Sequence, residues 1–403
     1  MKETDTAYIE RQAVLSHYLH NIGYSSAVFY EQAAKELIEE MSCKDKVSDG
    51  EIQYTLFPEF FSVPFLPVEN PKFTFIDLFA GIGGFRMALQ NLGGRCVFSS
   101  EWDAQAQKTY LLNYGEMPFG DITKESTKSF IPDNFDILCA GFPCQAFSIA
   151  GKKRGFEEIR GTLFFDVAEI LRRKRPKAFF LENVKGLMTH DRGNTLKTIL
   201  NVLRNDLDYY VPEPQIVNAM NFGVPQHRER VYIVGFRKDQ NVNSFSYPAP
   251  TDTTKTFADV KEKECPSVKY WLSTQYMQAL INHKQRHAAK GHGFGFGIIH
   301  DNEVANAIVV GGMGRERNIV IDDRLTDFTP VTKIKGEVNR QGWRRMTPRE
   351  WARLQGFPDE FIIGVADVSA YKQFGNSVAV PAIEATAKEI IKRINLNPKI
   401  YTK

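Results

Sequence analysis

Cysteine is scarce in this 403-residue chain, and its spacing argues against a protein held together by disulfides. The five cysteines stand at positions 43, 96, 139, 144 and 265, and none forms a Cys-x-x-Cys pair. Disulfide-stapled secreted domains need denser and more regular cysteines. The pattern fits a reducing cytoplasm, in which Cys144 would stay available as a thiol.

The chain also lacks a long apolar run and a strong charge of either sign. Its longest apolar runs are strand-sized, far short of the ~20 residues that cross a membrane, and the first residues show no signal peptide. The 51 Lys and Arg against 48 Asp and Glu give a net charge of +3, which by itself does not indicate a nucleic-acid partner. We therefore expect a cytoplasmic protein with no membrane partner.

Turn signals and apolar runs divide the chain into four predicted segments. Residues 1–70 read as a helical extension that ends in a proline-containing linker, which we interpret as structural or docking. Residues 71–250 alternate strands and helices. Residues 251–342 are rich in Gly, Lys and aromatics and resemble a smaller, irregular domain. In residues 343–403 regular order returns, with a helix predicted from Pro381 to Ile394.

The segment 71–250 determines the predicted fold class. Strands are predicted at 73–79, 96–100, 136–140, 178–181 and 231–236, with helices at 85–92, 104–113, 163–172 and 195–207. Strands that alternate with helices indicate an α/β fold, in which a mostly parallel sheet has helices on both faces.

A glycine turn follows the first predicted strand. Residues 75–86 read as a strand, a Gly81-x-Gly83-Gly84 turn and a helix. Glycines let the backbone approach a ligand closely, and a helix amino terminus offers free N–H groups. Arg86, however, occupies the third glycine position of the dinucleotide fingerprint. The turn alone therefore leaves NAD and S-adenosylmethionine equally open.

Polar and aromatic residues that follow the second predicted strand in the sequence could complete such a cofactor site. Glu101 follows the second strand, where a carboxylate can accept both ribose hydroxyls. Asp121 and Ile122 suit the amino group and the apolar face of adenine. Trp102 could stack on adenine, or could be an ordinary core or surface tryptophan.

A thiol, a carboxyl and two guanidinium groups stand at the ends of three further predicted strands. Cys144 follows the strand at 136–140, Glu182 ends the run at 178–181, and Arg228 and Arg230 precede the last strand. The thiol can act as a nucleophile, the carboxyl as an acid, and the guanidinium groups as an anchor for a substrate. Considered one at a time, Cys144 would be interpreted as a buried thiol, Glu182 as a strand-end cap, and the two arginines as a surface pair. All of them lie at the ends of predicted strands, and this shared placement favours a role in catalysis.

Taken in order, the motifs resemble those of the DNA cytosine C5-methyltransferase family, over roughly residues 72–250 and 343–385. The motifs are Phe79-Ala-Gly-Ile-Gly-Gly84, Glu101-Trp102, Asp121-Ile122, Gly141-Phe-Pro-Cys-Gln-Ala-Phe-Ser148, Gly161-Thr-Leu-Phe164, Leu181-Glu-Asn-Val184, Gln226-x-Arg-x-Arg230, Arg349-Glu-x-x-Arg353 and Gly375-Asn-Ser-Val378. One departure is Ala146, where the family usually has proline, and it removes no reacting group.

The resemblance implies a Rossmann-like, S-adenosylmethionine-dependent methyltransferase domain and gives each motif a role. Cys144 adds to C6 of cytosine, which makes C5 nucleophilic. Glu182 protonates or hydrogen-bonds N3, Arg230 binds O2, and Arg228 orders the pocket or the surroundings of the thiolate. The implied cofactor residues are Phe79, Gly81, Gly83, Gly84, Glu101, Trp102, Asp121, Ile122, Pro143, Leu163, Asn376 and Ser377.

Double-stranded DNA is the implied partner, and its target base must flip out of the stack. Residues 149–161 read as a glycine-hinged basic loop that closes on DNA. Residues 251–342 occupy the place of the target-recognition domain, and residues 291–297 resemble the recognition segment of Dcm-like enzymes, which methylate the inner cytosine of CCWGG or CCNGG. The predicted DNA contacts are Gln145, Ser148, Lys152, Lys153, Arg154, Gln226, Arg286, Arg315 and Arg317.

We expect no metal, because His283, His287, His292 and Cys265 lack a tight cysteine pair and read as phosphate-facing or packing residues.

The predicted enzyme is a monomer that acts either beside a cognate restriction endonuclease or as an orphan. Three alternatives stay open: a tRNA cytosine-5 methyltransferase, a sequence-specific DNA-binding regulator, and an NAD oxidoreductase. The first is disfavoured by the 251–342 segment and the second by the intact set Cys144, Glu182 and Arg230. The third is disfavoured by Arg86 and by the Pro-Cys-Gln, Glu-Asn-Val and Gln-x-Arg-x-Arg motifs.

Overall fold

The computed structural model of the chain describes residues 6–41, 58–143, 163–293, 295–311 and 314–396. The strands are β1 (Phe73–Leu78), β2 (Gly94–Ser100), β3 (Ile137–Gly141), β4 (Ala178–Val184), β5 (Tyr209–Tyr210), β6 (Gln215–Asn218), β7 (Gln226–His227), β8 (Glu229–Arg237), β9 (Gly297–Ile299), β10 (Ala305–Asn306), β11 (Asn318–Ile321) and β12 (Trp343–Arg345).

Helices connect these strands and flank them at both ends of the chain. They are α1 (Thr6–Asn21), α2 (Ala27–Met41), α3 (Gly84–Asn91), α4 (Ala104–Tyr114), α5 (Glu125–Ser129), α6 (Leu163–Lys174), α7 (Asn194–Asn201), α8 (Thr274–Ala288), α9 (Pro348–Leu354), α10 (Asp367–Asn376) and α11 (Val380–Ile391). Within the described ranges, no helix is both long enough and apolar enough to cross a membrane.

A seven-stranded sheet in the order β2-β1-β3-β4-β8-β5, with β6 also paired to β8, forms the centre of the fold. Strands β1 to β4 pair in parallel, whereas β8 runs antiparallel to β4. The predicted α/β fold with a mostly parallel sheet is confirmed. The antiparallel β8 has a functional consequence: its first residues lie at the edge where the parallel strands end, and Arg230 pairs with Val184 there.

Two apolar cores cover the two faces of the sheet. Successive strand residues point to opposite faces, so Phe75 and Phe180 belong to one core and Ile76 and Leu181 to the other. Helices α3 and α11 pack on the first face, and α6 and α7 on the second. This arrangement explains why the strands are apolar along their whole length rather than alternating.

The amino-terminal helices α1 and α2 share the second core. Leu15, Leu19 and Tyr30 are buried in the cluster that contains Val97 and Phe98 of the edge strand β2. The hydroxyl of Tyr30 donates to the Val97 carbonyl at 2.8 Å. The helical character predicted for this segment is confirmed, and its helices contact the catalytic region directly. The predicted four-segment division of the chain stays a prediction.

The segment predicted to read DNA contains a small sheet of its own. Strands β9, β11 and β12 form it, and Leu280 of α8 packs against Ile319 and Phe296. Arg344 of β12 is fully buried and contacts Asp322 and Glu350 at 2.8 and 2.7 Å. This ion-pair network fastens the small sheet to α9, which carries Glu350.

Candidate active site

A cavity of about 750 Å³ opens at the edge where strands β1, β3 and β4 end. The start of β8 and the end of α10 complete its wall. The cavity brings together most of the predicted catalytic and cofactor residues: Phe79, Gly81, Glu101, Trp102, Asp121, Ile122, Pro143, Leu163, Glu182, Arg228, Arg230, Asn376 and Ser377. Their roles stay predictions, but residues separated by up to 298 positions line one cavity.

One part of the wall is formed by the turn after β1 and by Glu101. Phe79 adopts a left-handed backbone (φ 55°), which is uncommon for a residue with a side chain and redirects the strand into the turn. The Gly81 N–H donates to Glu101 Oε2 at 2.8 Å, and the Asp103 N–H donates to Oε1 at 2.8 Å. Burial raises the pKa of Glu101, although these N–H donors oppose the shift. The carboxyl is therefore fixed in the wall.

Trp102 and Ile122 give this part of the cavity its apolar surface. The Trp102 side chain is 77% exposed although it lines the cavity, whereas Ile122 is buried. Asp121 Oδ1 accepts from the Thr123 N–H at 3.0 Å and from its hydroxyl at 2.9 Å. A fixed carboxyl, an exposed indole face and a glycine backbone match the ribose, base and amino-acid parts of S-adenosylmethionine. The residues present therefore fit this cofactor.

Gly83 and Gly84 do not line the cavity, and close packing explains both. Gly83 has φ 81° at the start of α3, and a Cβ there would lie 2.3 Å from the Tyr114 ring. A Cβ on Gly84 would lie 2.7 Å from Val378 Cγ2 and 3.0 Å from Ser377 Oγ. The two glycines thus let α3 pack tightly against α4 and against the wall at Ser377, instead of contacting a ligand themselves.

Gly84→Ala should lower the free energy of unfolding, because a methyl group forced into a tight site costs ~1–3 kcal/mol. It should also weaken S-adenosylmethionine binding by roughly tenfold, because relief of the clash displaces Ser377 on the cavity wall. The strain would fall on Ser377 and Val378, beside the cavity. Calorimetric titration without DNA would measure the dissociation constant. Gly186→Ala is the control, since its nearest contact, Val184 Cγ2, lies at an ordinary 3.9 Å. Equal affinities in both variants would contradict the packing argument.

Arg86, which breaks the dinucleotide fingerprint, points away from the cavity. Its guanidinium is fully buried and donates to both carboxyl oxygens of Glu116, at 2.7 and 3.0 Å. Its Nε donates to Gln90 at 2.8 Å. The Glu116 carboxylate keeps the pKa of Arg86 high despite burial. A glycine at this position would leave Glu116 without its partner, so the departure from the fingerprint is structural.

The catalytic end of the cavity contains a carboxyl paired with a guanidinium. Arg230 Nε lies 3.0 Å from Glu182 Oε1, and Glu182 also pairs in register with Gly141 of β3. Burial raises the pKa of Glu182, against the opposing charges of Arg230 and Arg228. A carboxyl with a raised pKa is suited to donate a proton.

The Arg228 side chain is buried and bonds to backbone carbonyls of distant segments. Its guanidinium donates to the carbonyls of Ile308 at 3.0 Å, Gly375 at 3.2 Å and Ser377 at 2.6 Å. Burial, together with the neighbouring Arg230 charge, lowers the pKa of Arg228 to about 9. Of the two roles predicted for Arg228, these contacts favour ordering of the pocket, because they tie the residue before β8 to Ile308 of the predicted target-recognition domain (residues 251–342) and to the end of α10.

Asn183 was overlooked by sequence reasoning, which used it only as part of a motif. It is buried, and its Nδ2 donates to the Phe142 carbonyl at 2.8 Å. Pro143 follows on the cavity wall and directly precedes Cys144 in the sequence. Cys144 itself lies outside the described residues. Asn183 thus fixes the backbone from which the predicted nucleophile segment begins, on the strand that carries Glu182.

The end of α10 closes the cavity on the cofactor side, where the family resemblance implies Asn376 and Ser377 as cofactor residues, but no sequence signal indicated the side chains that hold it there. Lys372 forms an ion pair with Asp103, the residue that caps α4. Gln373 Nε2 donates to the Gln105 carbonyl at 2.8 Å, and its Oε1 accepts from Thr109 at 3.0 Å. These contacts hold Asn376 and Ser377, at the end of α10, across from the glycine turn.

The structure does not support a DNA contact for Gln226. Its side chain is fully buried, donates to the Leu354 carbonyl at 2.8 Å and accepts from the Ile308 N–H at 3.0 Å. A groove contact needs an exposed amide, so the prediction fails on burial. Gln226 instead joins β7 to α9 and to Ile308 of the predicted target-recognition domain.

The other predicted DNA contacts differ in how the structure presents them. Arg286 and Arg317 are exposed, and Arg315 is half-buried with its guanidinium 5.8 Å from the Tyr371 ring centre. Five predicted contacts and the predicted closing loop 149–161 lie outside the described residues; these contacts are Gln145, Ser148, Lys152, Lys153 and Arg154.

Among the residues that the structure does describe, no group of His, Cys, Asp and Glu is arranged to hold a metal ion.

Comparison with known proteins gives a consistent result. Residues 73–392 match the family model described as C-5 cytosine-specific DNA methylase. The chain is 70% identical to the type II methyltransferase M.HpaII of Haemophilus parainfluenzae, over 85% of this chain and 94% of that protein. It is 42% identical to M.HhaI of Haemophilus parahaemolyticus, over 80% and 96%. The solved Dnmt2 methyltransferase of S. pombe, 19% identical, shares the fold (TM-score 0.58, 79% of this chain, 98% of that chain).

Proposed function

This chain belongs to the C-5 cytosine-specific DNA methylase family, and we propose that it methylates C5 of a flipped cytosine in duplex DNA through the residues of the cavity described above. It is an S-adenosylmethionine-dependent DNA cytosine-5 methyltransferase, as its relatives M.HpaII and M.HhaI indicate. The observation that carries the residue assignment is the Glu182–Arg230 pair, which shares one cavity wall with Pro143, the residue before Cys144. A thiol, an acid and a cofactor surface at one cavity are what this reaction requires.

The proposed residue roles follow from the chemistry of cytosine. Its C5 is a weak nucleophile, so the thiolate of Cys144 adds to C6 and places electron density on C5. Glu182 donates its proton to N3, which makes C6 more electrophilic. Nη2 of Arg230 binds O2, while its Nε holds Glu182 and its Nη1 donates to the Glu229 carbonyl at 2.8 Å. After transfer, a base or a water molecule takes the C5 proton, Glu182 recovers the proton from N3, and the bond between sulfur and C6 breaks so that Cys144 leaves as a thiolate.

S-adenosylmethionine supplies an electrophilic methyl group when it is bound. Glu101 would accept the ribose hydroxyls, Trp102 and Ile122 would cover the two faces of adenine, and Asp121 would receive its amino group. Gly81 would let the backbone approach the rest of the molecule.

We further propose a monomer that acts in the cytoplasm on DNA, beside a cognate restriction endonuclease or as an orphan. One flipped base needs one active site, and a reducing compartment preserves the Cys144 thiol. For the recognition site we keep the hypothesis of an inner cytosine in CCWGG or CCNGG. Exposed Arg286 and Arg317 are suited to groove contacts, since arginine is the commonest reader of guanine.

Methyl transfer from labelled S-adenosylmethionine to unmethylated duplex, followed by single-base mapping of 5-methylcytosine, tests the function and its specificity together. We expect label in duplex DNA at one short motif and none in tRNA offered at equal concentration. Filling of a different motif would refute the CCWGG or CCNGG hypothesis while leaving the activity intact. Label in tRNA alone would overturn the DNA assignment.

A further inference from the structure

We infer that the amino-terminal helix α1 is a positioning element of the cofactor pocket, because it fixes the segment Glu116–Ile122, which carries two cofactor residues. The inference rests on the proposed assignment of Asp121 and Ile122 to the cofactor. The alternative is that the extension stabilises the protein or docks elsewhere, without any effect on the pocket.

The segment that α1 contacts continues the edge of the central sheet into the cavity. The Phe119 N–H donates to the Ser99 carbonyl at 2.9 Å, and the Glu101 N–H donates to the Phe119 carbonyl at 2.8 Å. The backbone of Phe119 therefore holds Glu101 from one side and leads to Asp121 and Ile122 on the cavity wall. A displacement of this segment would move three of the proposed cofactor residues together.

One face of α1 contacts this segment through residues at helical spacing. The Met117 N–H donates to the Ser16 hydroxyl at 3.0 Å. The His17 ring lies 5.0 Å from the Phe119 ring, and His20 Nδ1 lies 3.3 Å from Glu116 Oε1. All three helix residues are buried. No other described element offers a side-chain oxygen to the Met117 N–H, so Ser16 fixes the backbone at this point.

The same helix reaches the glycine turn through a buried ionic network. Glu116, which contacts His17 and His20 of α1, also accepts both hydrogen bonds from Arg86 of α3. Glu116 and Arg86 are fully shielded from solvent. Buried charges tolerate little displacement, since a separated partner would be left uncompensated. Helix α1 therefore fixes both sides of the pocket relative to each other, the turn before α3 and the segment after α4.

Ser16→Ala in the full chain tests the inference, with Ser26→Ala as a matched control. Each variant removes one buried serine hydroxyl of the extension. The Ser16 hydroxyl accepts from the Met117 N–H and donates to the Ala13 carbonyl of its own helix at 3.2 Å, whereas the Ser26 hydroxyl donates to Asn21 Oδ1, within the extension, at 2.9 Å. Titration with S-adenosylmethionine in the absence of DNA should give a dissociation constant raised roughly three- to tenfold for Ser16→Ala, as expected for loss of the one hydrogen bond that joins α1 to Met117. Ser26→Ala should remain within about twofold of wild type.

Hydrogen exchange of the amides from Met117 to Ile122 provides a readout that does not depend on binding. Exchange should accelerate in Ser16→Ala and not in Ser26→Ala. Equal affinities and equal exchange in both variants, with similar losses in Tm, would overturn the inference and leave the extension a stabilising element. If the wild type itself failed to bind S-adenosylmethionine, the proposed cofactor site would fail instead, so the two failures are distinguishable.

Discussion

Cys144→Ala is expected to lower methyl transfer by roughly 10⁴-fold or more, the scale for losing a covalent nucleophile. Addition of the thiolate to C6 is what makes C5 reactive, and alanine offers no group that can replace it. Cofactor binding should be nearly unchanged, because the thiol is proposed to contact the cytosine and not the adenosine part of the pocket.

The other cysteines are poor candidates for this role. Cys96 and Cys139 are buried in the sheet, where burial raises the pKa of Cys96 to about 12 and that of Cys139 well above its usual range. Cys265 is exposed but does not line the cavity. Cys43 and Cys144 lie outside the described residues, and of the two only Cys144 directly follows a residue of the cavity wall, Pro143.

Duplex carrying 5-fluorocytosine at the mapped site would reveal the adduct directly. Fluorine cannot leave C5 as a cation, so elimination fails and the bond between sulfur and C6 persists. Mass spectrometry should find this bond at Cys144 in the wild type and in the control Cys265→Ala, and should find no adduct in Cys144→Ala. Turnover by Cys144→Ala, or an adduct at another residue, would show that the nucleophile has been misassigned.

The positions of the main strands along the chain could be predicted because each is a short apolar run closed by turn residues. The prediction of a strand at 73–79 matches β1 at Phe73–Leu78, and that of 136–140 matches β3 at Ile137–Gly141. Both strands are covered on two faces, so their whole length is apolar. Polar residues at the ends of such strands indicate a site at one edge of the sheet, and Glu101 and Glu182 do lie on one cavity wall there.

Features that depend on contacts between distant parts of the chain could not be predicted. The burial of Gln226 depends on the Leu354 carbonyl, 128 positions away, and that of Arg86 on Glu116, which α1 also contacts. Neither partner is marked by any local pattern. The glycine turn is a further example. Gly83 and Gly84 have the spacing of ligand-binding glycines, but the lack of a side chain at these positions allows Tyr114 and Ser377 to pack closely against the turn.

Glu182→Gln is expected to lower methyl transfer by roughly 10²- to 10⁴-fold, the usual contribution of general acid–base catalysis. Glutamine has nearly the same shape, and its amide oxygen can still accept from Arg230 Nε, which lies 3.0 Å from Glu182 Oε1. Its amide can also donate a hydrogen bond to N3 of cytosine, but it cannot deliver a proton. The loss should therefore appear in the chemical step, measured under single-turnover conditions, and not in cofactor affinity.

The pH dependence of kcat/KM for DNA separates this role from a structural one. Burial raises the pKa of Glu182, and its protonated form is the one that acts. Wild-type kcat/KM should therefore rise with pH as Cys144 becomes a thiolate and then decline at higher pH as Glu182 loses its proton. In Glu182→Gln only the Cys144 thiolate titrates, so kcat/KM should rise with pH to a plateau. Glu229→Gln, which alters a partly exposed ion pair between the first residue of β8 and Lys185, the residue after β4, should keep the wild-type decline. If Glu182→Gln also kept that decline, the proton donor would have to be another group.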